Sequence, residues 1–235
     1  MSVQPHRAAL TAPATDTRLS GVGFGYAGGP DVLRDVNLIL PAGSFHFLTG
    51  PSGAGKSTLL KLLTLEARPA TGSVELFGED AGSSPRSALA GFRRRMGLVF
   101  QDLRLLDHLT AFDNVALPLR LAGGKRDAYA ADVMEILDWV GLGDRGDDRP
   151  PALSGDEKRG LAFARAVVTS PELILADEPT GGLDAATVER LLRLFQLMNR
   201  GGTTVLIASH DEGLAAASGA SVLRLEGGRL AGGAA

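Results

Sequence analysis

Cysteine is absent from the 235 residues, so no disulfide scaffold supports the fold. At this length none is needed, because one domain, or one domain with an inserted lobe, buries a substantial core by itself. The absence fits a reducing compartment and sets a cytosolic expectation. Excess positive charge is also missing. Lys and Arg total 24 against 27 Asp and Glu, a formal net charge of -3, which is not the basic footprint of a protein that wraps nucleic acid. No nucleic-acid partner is expected. Long apolar runs are missing too: "LILADEP" and "TTVLIASH" are strand-sized and well short of the roughly 20 residues that span a bilayer. The chain is not expected to cross a membrane by itself. Its opening, "MSVQPHRAALTAPATDT", has small residues but no continuous apolar core, so residues 1–16 are expected to be a disordered extension rather than a signal peptide.

What is present is an alternation of strand and helix signals. "TRLSGVGFGY", "LRDVNLIL" and "GSFHFLTG" read as strands, the third ending in a Gly-rich loop. A helix is expected over "KSTLLKLLTLE", with the Gly after "RPAT" closing its exit, then a strand "GSVELFG", a Ser-rich turn and a short buried strand "GLVFQ". From Asp102 to about Asp148 strands disappear and apolar residues recur at helical spacing, as in "AFDNVALPLRLAG" and "RDAYAADVMEILDWVGLG". This reads as an inserted helical lobe, ended by an irregular linker "GDRGDDRPP". Alternation then resumes to "SVLRLEGG", and such a pattern predicts a mostly parallel sheet covered by helices. The α/β domain is expected over 17–228, the helical lobe with its following helix over about 102–166, and a flexible tail over 229–235.

The strongest local signal is "GPSGAGKST", Gly50 to Thr58, which satisfies G-x-x-x-x-G-K-[ST] between a strand and a helix. Gly50, Gly53 and Gly55 let the backbone turn so that several N–H groups converge on phosphate, and Ser52, Ala54 and Thr58 belong to the same cradle. Lys56 can reach the β- and γ-phosphates of ATP, and the Ser57 hydroxyl suits Mg²⁺. "LILADEPT" ends a strand in two adjacent carboxylates, which point to opposite sides of the pleat and can hold different roles. Asp177 suits the Mg²⁺ shell and Glu178 a base that polarises an attacking water. Gln101, after "GLVF", is placed to sense the γ-phosphate or the metal. His210, read as ending the strand "TTVLIASH", can hydrogen-bond a γ-phosphate oxygen or serve structurally. Tyr26 offers a flat face for adenine, or anchors a turn.

Tyr26, "GPSGAGKST", Gln101, "LSGDE", "LILADEPT", "GGLD" and "ASHD" stand in the order found in ABC-type ATPases. The resemblance runs from about Thr17 to Gly228 and implies a P-loop NTPase with a mostly parallel core sheet, an N-terminal antiparallel β portion and an inserted helical lobe. It further implies that Tyr26 stacks on adenine, that Gln101 links nucleotide and Mg²⁺ to the lobe, and that Lys56, Glu178 and His210 are catalytic. Ser154 and Gly155 would complete a partner's ATP pocket, and Asp184 of "GGLD" would communicate between two protomers of an ATP-bound homodimer. Segments such as "FLTGPSGAGKSTLLKLL" and "ARAVVTSPELILADEPTGGLD" are most similar to the cell-division branch of FtsE type. The lipoprotein-releasing and macrolide-export branches share much of that framework. The FtsE-type resemblance implies a peripheral protein on the cytoplasmic face of the inner membrane, docked on the membrane protein FtsX and governing peptidoglycan hydrolysis. Its contact would lie in the lobe, near Leu103 to Leu109; an apolar stripe at that spacing also fits internal packing.

Two residues depart from the family pattern. Asp156 stands where Gly is usual, and Gly160 where Arg is usual, with Arg159 one residue earlier. Ser154 and Glu157 keep S-x-x-E spacing, a capping box at a helix start. Asp156 then has two readings. It acts in the first helical turn, where a carboxylate is worth about 0.3–1 kcal/mol. Alternatively it faces γ-phosphate, where two unit charges about 7 Å apart repel by roughly 0.6–2.4 kcal/mol and slow the ATPase.

Overall fold

The computed structural model describes residues 15–231. Ten strands form two sheets. The first is antiparallel, ordered β2 (Asp31–Leu40), β1 (Thr17–Gly25), β4 (Thr71–Leu76) and β5 (Glu79–Asp80). The second has six strands, ordered β10 (Arg229–Ala231), β9 (Ser221–Glu226), β3 (Phe45–Thr49), β8 (Thr204–Ala208), β7 (Leu173–Asp177) and β6 (Met96–Val99). Its pairings are parallel except for the β9–β10 hairpin.

Burial explains this arrangement. All five residues of β8, and all but Asp177 of β7, are buried, as expected for strands covered on both faces. One face of the six-stranded sheet packs Phe47, Ile174 and Ile207 against Phe163 of α5 (Gly155–Val167) and Phe195 of α6 (Ala185–Arg200). The two phenyl rings meet edge to face at 5.0 Å. The opposite face packs Leu48, Leu175 and Leu206 against α1 (Lys56–Leu63) and the antiparallel sheet. Thus α1 is wedged between the sheets, and the loop before it opens at the parallel sheet's C-terminal edge. Such edges are where open α/β sheets bind ligands.

The helical lobe consists of α3 (Ala111–Leu121) and α4 (Arg126–Trp139) with α5 beneath them. The linker expected to be irregular contains two 3-10 turns, Gly143–Arg145 and Pro150–Ala152.

Several local expectations need correction. The helix expected to run to Glu66 ends at Leu63, because Leu65 turns left-handed (φ 58°) and Arg93 donates to the carbonyls of Thr64 and Leu65. Gly72 is no exit signal for that helix. It lies within β4, where a Cβ would stand 2.4 Å from the carbonyl oxygens of Ser20 and Gly21. The Ser-rich turn is followed by a short helix, α2 (Leu89–Arg94). A further helix, α7 (Glu212–Ala217), follows β8. Strand β8 stops at Ala208, two residues before His210. The tail expected from residue 229 begins with β10, tied to β9 by a two-residue turn at Gly227 and Gly228. Residues 1–14 of the expected extension and 232–235 of the expected tail lie outside the described residues. Asp16, placed in the extension, accepts from the Ala42 N–H at 3.2 Å.

Candidate active site

The Gly-rich loop is built for close backbone approach. Gly50 has φ 140°, and a Cβ there would stand 2.1 Å from the Leu225 carbonyl oxygen, so β3 can pass β9 only as glycine. Gly53 has φ 77° with nothing within 4 Å of a Cβ, so conformation rather than crowding requires it. Gly55, at φ 107°, caps α1 without any side-chain hydrogen bond, leaving the first N–H groups of the helix for an anion. Ala54 is buried, and its N–H donates to the Pro51 carbonyl at 3.1 Å. Lys56 is only 8% exposed, and its Nζ donates to the carbonyls of Gly50 at 2.7 Å and Pro51 at 3.2 Å.

This loop forms one wall of a cleft of about 570 Å³. Ser52, Gly53, Gly55, Lys56, Ser57 and Thr58 reach it from one side, and Gln101, Glu178 and His210 from the other. Glu178 is a non-glycine residue at φ 46°, a strained conformation of the kind that clusters at active sites. It is fixed at both ends: its N–H donates to the Ala208 carbonyl at 2.9 Å, and its Oε2 lies 2.9 Å from His210 Nδ1.

Asp177 sits behind the loop, where its Oδ1 is buried with no hydrogen-bond partner among the described residues. Burial pushes its pKa up, the Ser57 hydroxyl bonded to the carboxylate opposes this, and the Glu178 charge adds to the rise. An orphaned carboxylate oxygen beside a hydroxyl at a phosphate loop fits a cation held jointly with phosphate oxygens. Among the described residues, no cluster of three or more His, Cys, Asp or Glu could hold a metal by itself.

Tyr26 stands just outside this cleft. It is half-exposed, its hydroxyl lies 3.2 Å from Thr58 Oγ1, and Phe24 meets its ring edge to face at 5.1 Å. The Thr58 hydrogen bond, then Lys61, draws the Tyr26 pKa down.

Ser154, Gly155 and Asp184 do not line the cleft of their own chain. Ser154 caps α5 in a complete capping box: its Oγ accepts from the Glu157 N–H at 3.2 Å, and Glu157 Oε2 accepts from the Ser154 N–H at 2.7 Å. That backbone bond, chiefly, holds the Glu157 pKa down. Asp184 caps α6, accepting from Ala186 and Thr187 at 2.9 and 3.0 Å. Asp156 turns toward α6, its Oδ2 standing 3.4 Å from Thr187 Oγ1, whose proton goes to Asp184 at 2.7 Å, and its Oδ1 3.9 Å from Arg159.

Sequence reasoning missed one cleft residue of consequence. Arg159 enters the cleft one helical turn beyond Gly155 and donates to the Gly181 carbonyl at 2.6 Å. A positive side chain four residues after Gly155, on the same helix face, was the available signal.

Residues 33–181 match the family model described as ABC transporter. The chain belongs to the ABC transporter family. With its intact phosphate loop, this member is an ABC-type ATPase, an ATP hydrolase on a P-loop fold. It is 44% identical over 216 residues to the cell division ATP-binding protein FtsE of Escherichia coli K12, covering 92% of this chain and 97% of that one. It is also 44% identical over 208 residues to the lipoprotein-releasing system ATP-binding protein LolD of Geobacter metallireducens, covering 86% and 92%. The dimeric structure of the bacterial ABC transporter cassette MJ0796 superposes with a TM-score of 0.85 at 32% identity, covering 91% of this chain and 96% of that one. A second MJ0796 dimer, in a post-hydrolysis state bound to ADP and Pi, matches equally well.

Proposed function

We propose that this ABC ATPase dimerises on ATP and drives a membrane partner of FtsX type to control peptidoglycan hydrolysis in cell division. The observation that carries the ATPase half is the convergence of one cleft: the loop around Lys56, the orphaned Asp177 oxygen behind it, and Glu178 held by His210. In that cleft the loop N–H groups and Lys56 bind the β- and γ-phosphates, the ammonium exchanging two loop carbonyls for phosphate oxygens. Ser57 and Asp177 would hold Mg²⁺, with Gln101 as a further ligand, and the ion would supply neutralisation of phosphate charge. Glu178 takes the proton of the attacking water while His210 orients its carboxylate and faces the γ-phosphate. Tyr26 stacks on the adenine.

Each cleft is half a site. Ser154 and Gly155 are exposed at the start of α5, and the Ser154 O–H remains free to donate, since its oxygen only accepts in the cap. A second copy supplies this surface to the γ-phosphate, and Asp184 lies beside the junction. The membrane partner docks on the lobe near Leu103 to Leu109, placing the ATPase at the cytoplasmic face of the inner membrane as a peripheral subunit.

The cell-division reading is supported by the 44% identity to FtsE across nearly the full length of both chains. A second reading, an ATPase of a lipoprotein-release complex, is favoured by the equal identity to LolD. Affinity purification from native membranes under ATP, with Glu178→Gln to hold the dimer closed, separates them. Recovery of an FtsX-type protein supports the first reading. Recovery of a lipoprotein-release membrane pair overturns it in favour of the second.

A further inference from the structure

Two residues after Gln101, the backbone turns through two consecutive non-glycine residues in the left-handed region, Leu103 (φ 56°) and Arg104 (φ 45°). Such residues persist only where the surroundings over-determine them. The restraint comes from two directions. From α5, Arg165 Nη2 donates to the Leu103 carbonyl at 2.6 Å and Nη1 to the Arg104 carbonyl at 2.7 Å. From the other side, the Arg104 guanidinium stacks 3.7 Å over the Phe100 ring, pairs with Glu66 at 2.8 Å beyond the end of α1, and lies 3.3 Å from Asp102.

Among the described residues Arg165 has no carboxylate to offset its burial, which pushes its pKa down. Its charge is directed at two backbone carbonyls instead. A planar guanidinium can bridge two neighbouring acceptors with separate N–H groups, whereas an ammonium on a flexible stem is a single point of charge. The corner it grips is part of the cleft, because Leu103 and Gln101 both line it. Arg165 also belongs to the helix whose first turn carries Ser154, so α5 cannot shift without pulling on the corner.

We propose that Arg165 is a positioning residue of the ATPase: it locks the Leu103–Arg104 corner in its left-handed form, and that corner sets Gln101 against the nucleotide. The proposal rests on the reading of the cleft as the ATP site. It makes a demand that a packing role does not. If the guanidinium acts by enforcing a conformation unfavourable to side-chain-bearing residues, then glycine, which adopts that conformation freely, should substitute for the clamp.

The test measures kcat and KM for ATP in the full chain, together with the melting temperature, for Arg165→Lys and for Arg165→Lys combined with Leu103→Gly. Arg165→Lys is expected to melt close to wild type and to lose about tenfold in kcat/KM. The added Leu103→Gly is expected to recover most of that loss. A kcat/KM for Arg165→Lys within twofold of wild type overturns the proposal, as does a loss that neither Leu103→Gly nor Arg104→Gly relieves in that background. Glu178→Gln, run in parallel, keeps the two questions apart. Turnover abolished there but untouched by Arg165→Lys sinks the clamp alone, whereas turnover that survives Glu178→Gln sinks the reading of the catalytic base.

Discussion

His210 Nδ1 lies 2.9 Å from Glu178 Oε2, although the two residues are 32 positions apart and follow different strands of the sheet. The Glu178 side chain is 16% exposed and the His210 side chain 71%. The carboxylate is therefore sheltered while the imidazole that orients it faces the open cleft. Glu178→Gln is expected to lower kcat by about 10²–10⁴, the usual span for loss of a general base. His210→Ala removes the contact that orients Glu178 but leaves the carboxylate, so on the proposed mechanism its loss should be smaller. Phosphate release at saturating ATP checks both. Equal losses would mean that His210 does more than orient the base.

Gly50 is the position where the phosphate loop tolerates least. Its φ of 140° and the 2.1 Å approach of the Leu225 carbonyl leave no room for a methyl group. Gly50→Ala should destabilise by at least about 1–3 kcal/mol from backbone strain alone. The clash would add to this by pushing β3 off β9. Gly53→Ala meets no atom within 4 Å and carries only the conformational cost of φ 77°, so it should unfold later in urea than Gly50→Ala. Urea midpoints for the pair, with ATP affinity alongside, test that ordering.

How much of this was legible in the sequence depends on whether a residue's partner is a nearby backbone group or a distant one. "GPSGAGKST" was legible because its function is local: glycines that turn, amides that converge, one lysine. The adjacency of Asp177 and Glu178 at a strand end was legible for the same reason. The contact between Glu178 and His210 spans the β7–α6–β8 crossover, and only resemblance to a family joined them. The places of Arg159 and Arg165 at the cleft were invisible because each binds backbone carbonyls, of Gly181 or of Leu103 and Arg104, and carbonyls carry no letter. The tail misled through composition. The final strand is expected to end in "EGG" with a flexible tail from residue 229, yet Gly227 and Gly228 both have positive φ, the two-residue hairpin turn that closes β9 onto β10.

Asp156 faces its own chain. Its carboxylate points toward Thr187 on α6 at 3.4 Å and stands 3.9 Å from Arg159, and it shares the first turn of α5 with Glu157. Asp156→Gly is therefore expected to change turnover and ATP-driven dimerisation little. It should cost about 0.3–1 kcal/mol from the lost helix-dipole interaction, plus the entropy of a further glycine in the helix. Turnover that rises several-fold in Asp156→Gly, measured at matched protein concentration, would restore the view of this charge as a brake.

Gly160 offers the converse. It lies inside α5, and a Cβ there would meet Val140 Cβ at 3.4 Å and the Val140 carbonyl at 3.5 Å, ordinary contact distances. Gly160→Ala should therefore stabilise the chain by up to about 1 kcal/mol, read as a raised urea midpoint with an unchanged slope. A lower midpoint would mean that α4 and α5 are packed too tightly there to admit one methyl group.

His46 gives the fold a predictable acid sensitivity. It is 8% exposed on β3, its Nε2 lies 2.8 Å from Ser44 Oγ, and its Nδ1 is buried without a partner. Burial pushes its pKa below the ordinary 6.5, so the native state resists a proton that the unfolded chain accepts. The unfolded state then binds more protons below that value, and stability rises with pH across the window. This contribution is complete above about 6.5 and is lost as pH falls through the lower native value. Replacing the ring with an uncharged side chain, as in His46→Gln, removes the difference in proton uptake whatever it does to absolute stability. Between about pH 7.5 and 5.5 the wild-type urea midpoint should therefore fall further than that of His46→Gln. Parallel declines in the two proteins would place the acid sensitivity on other groups.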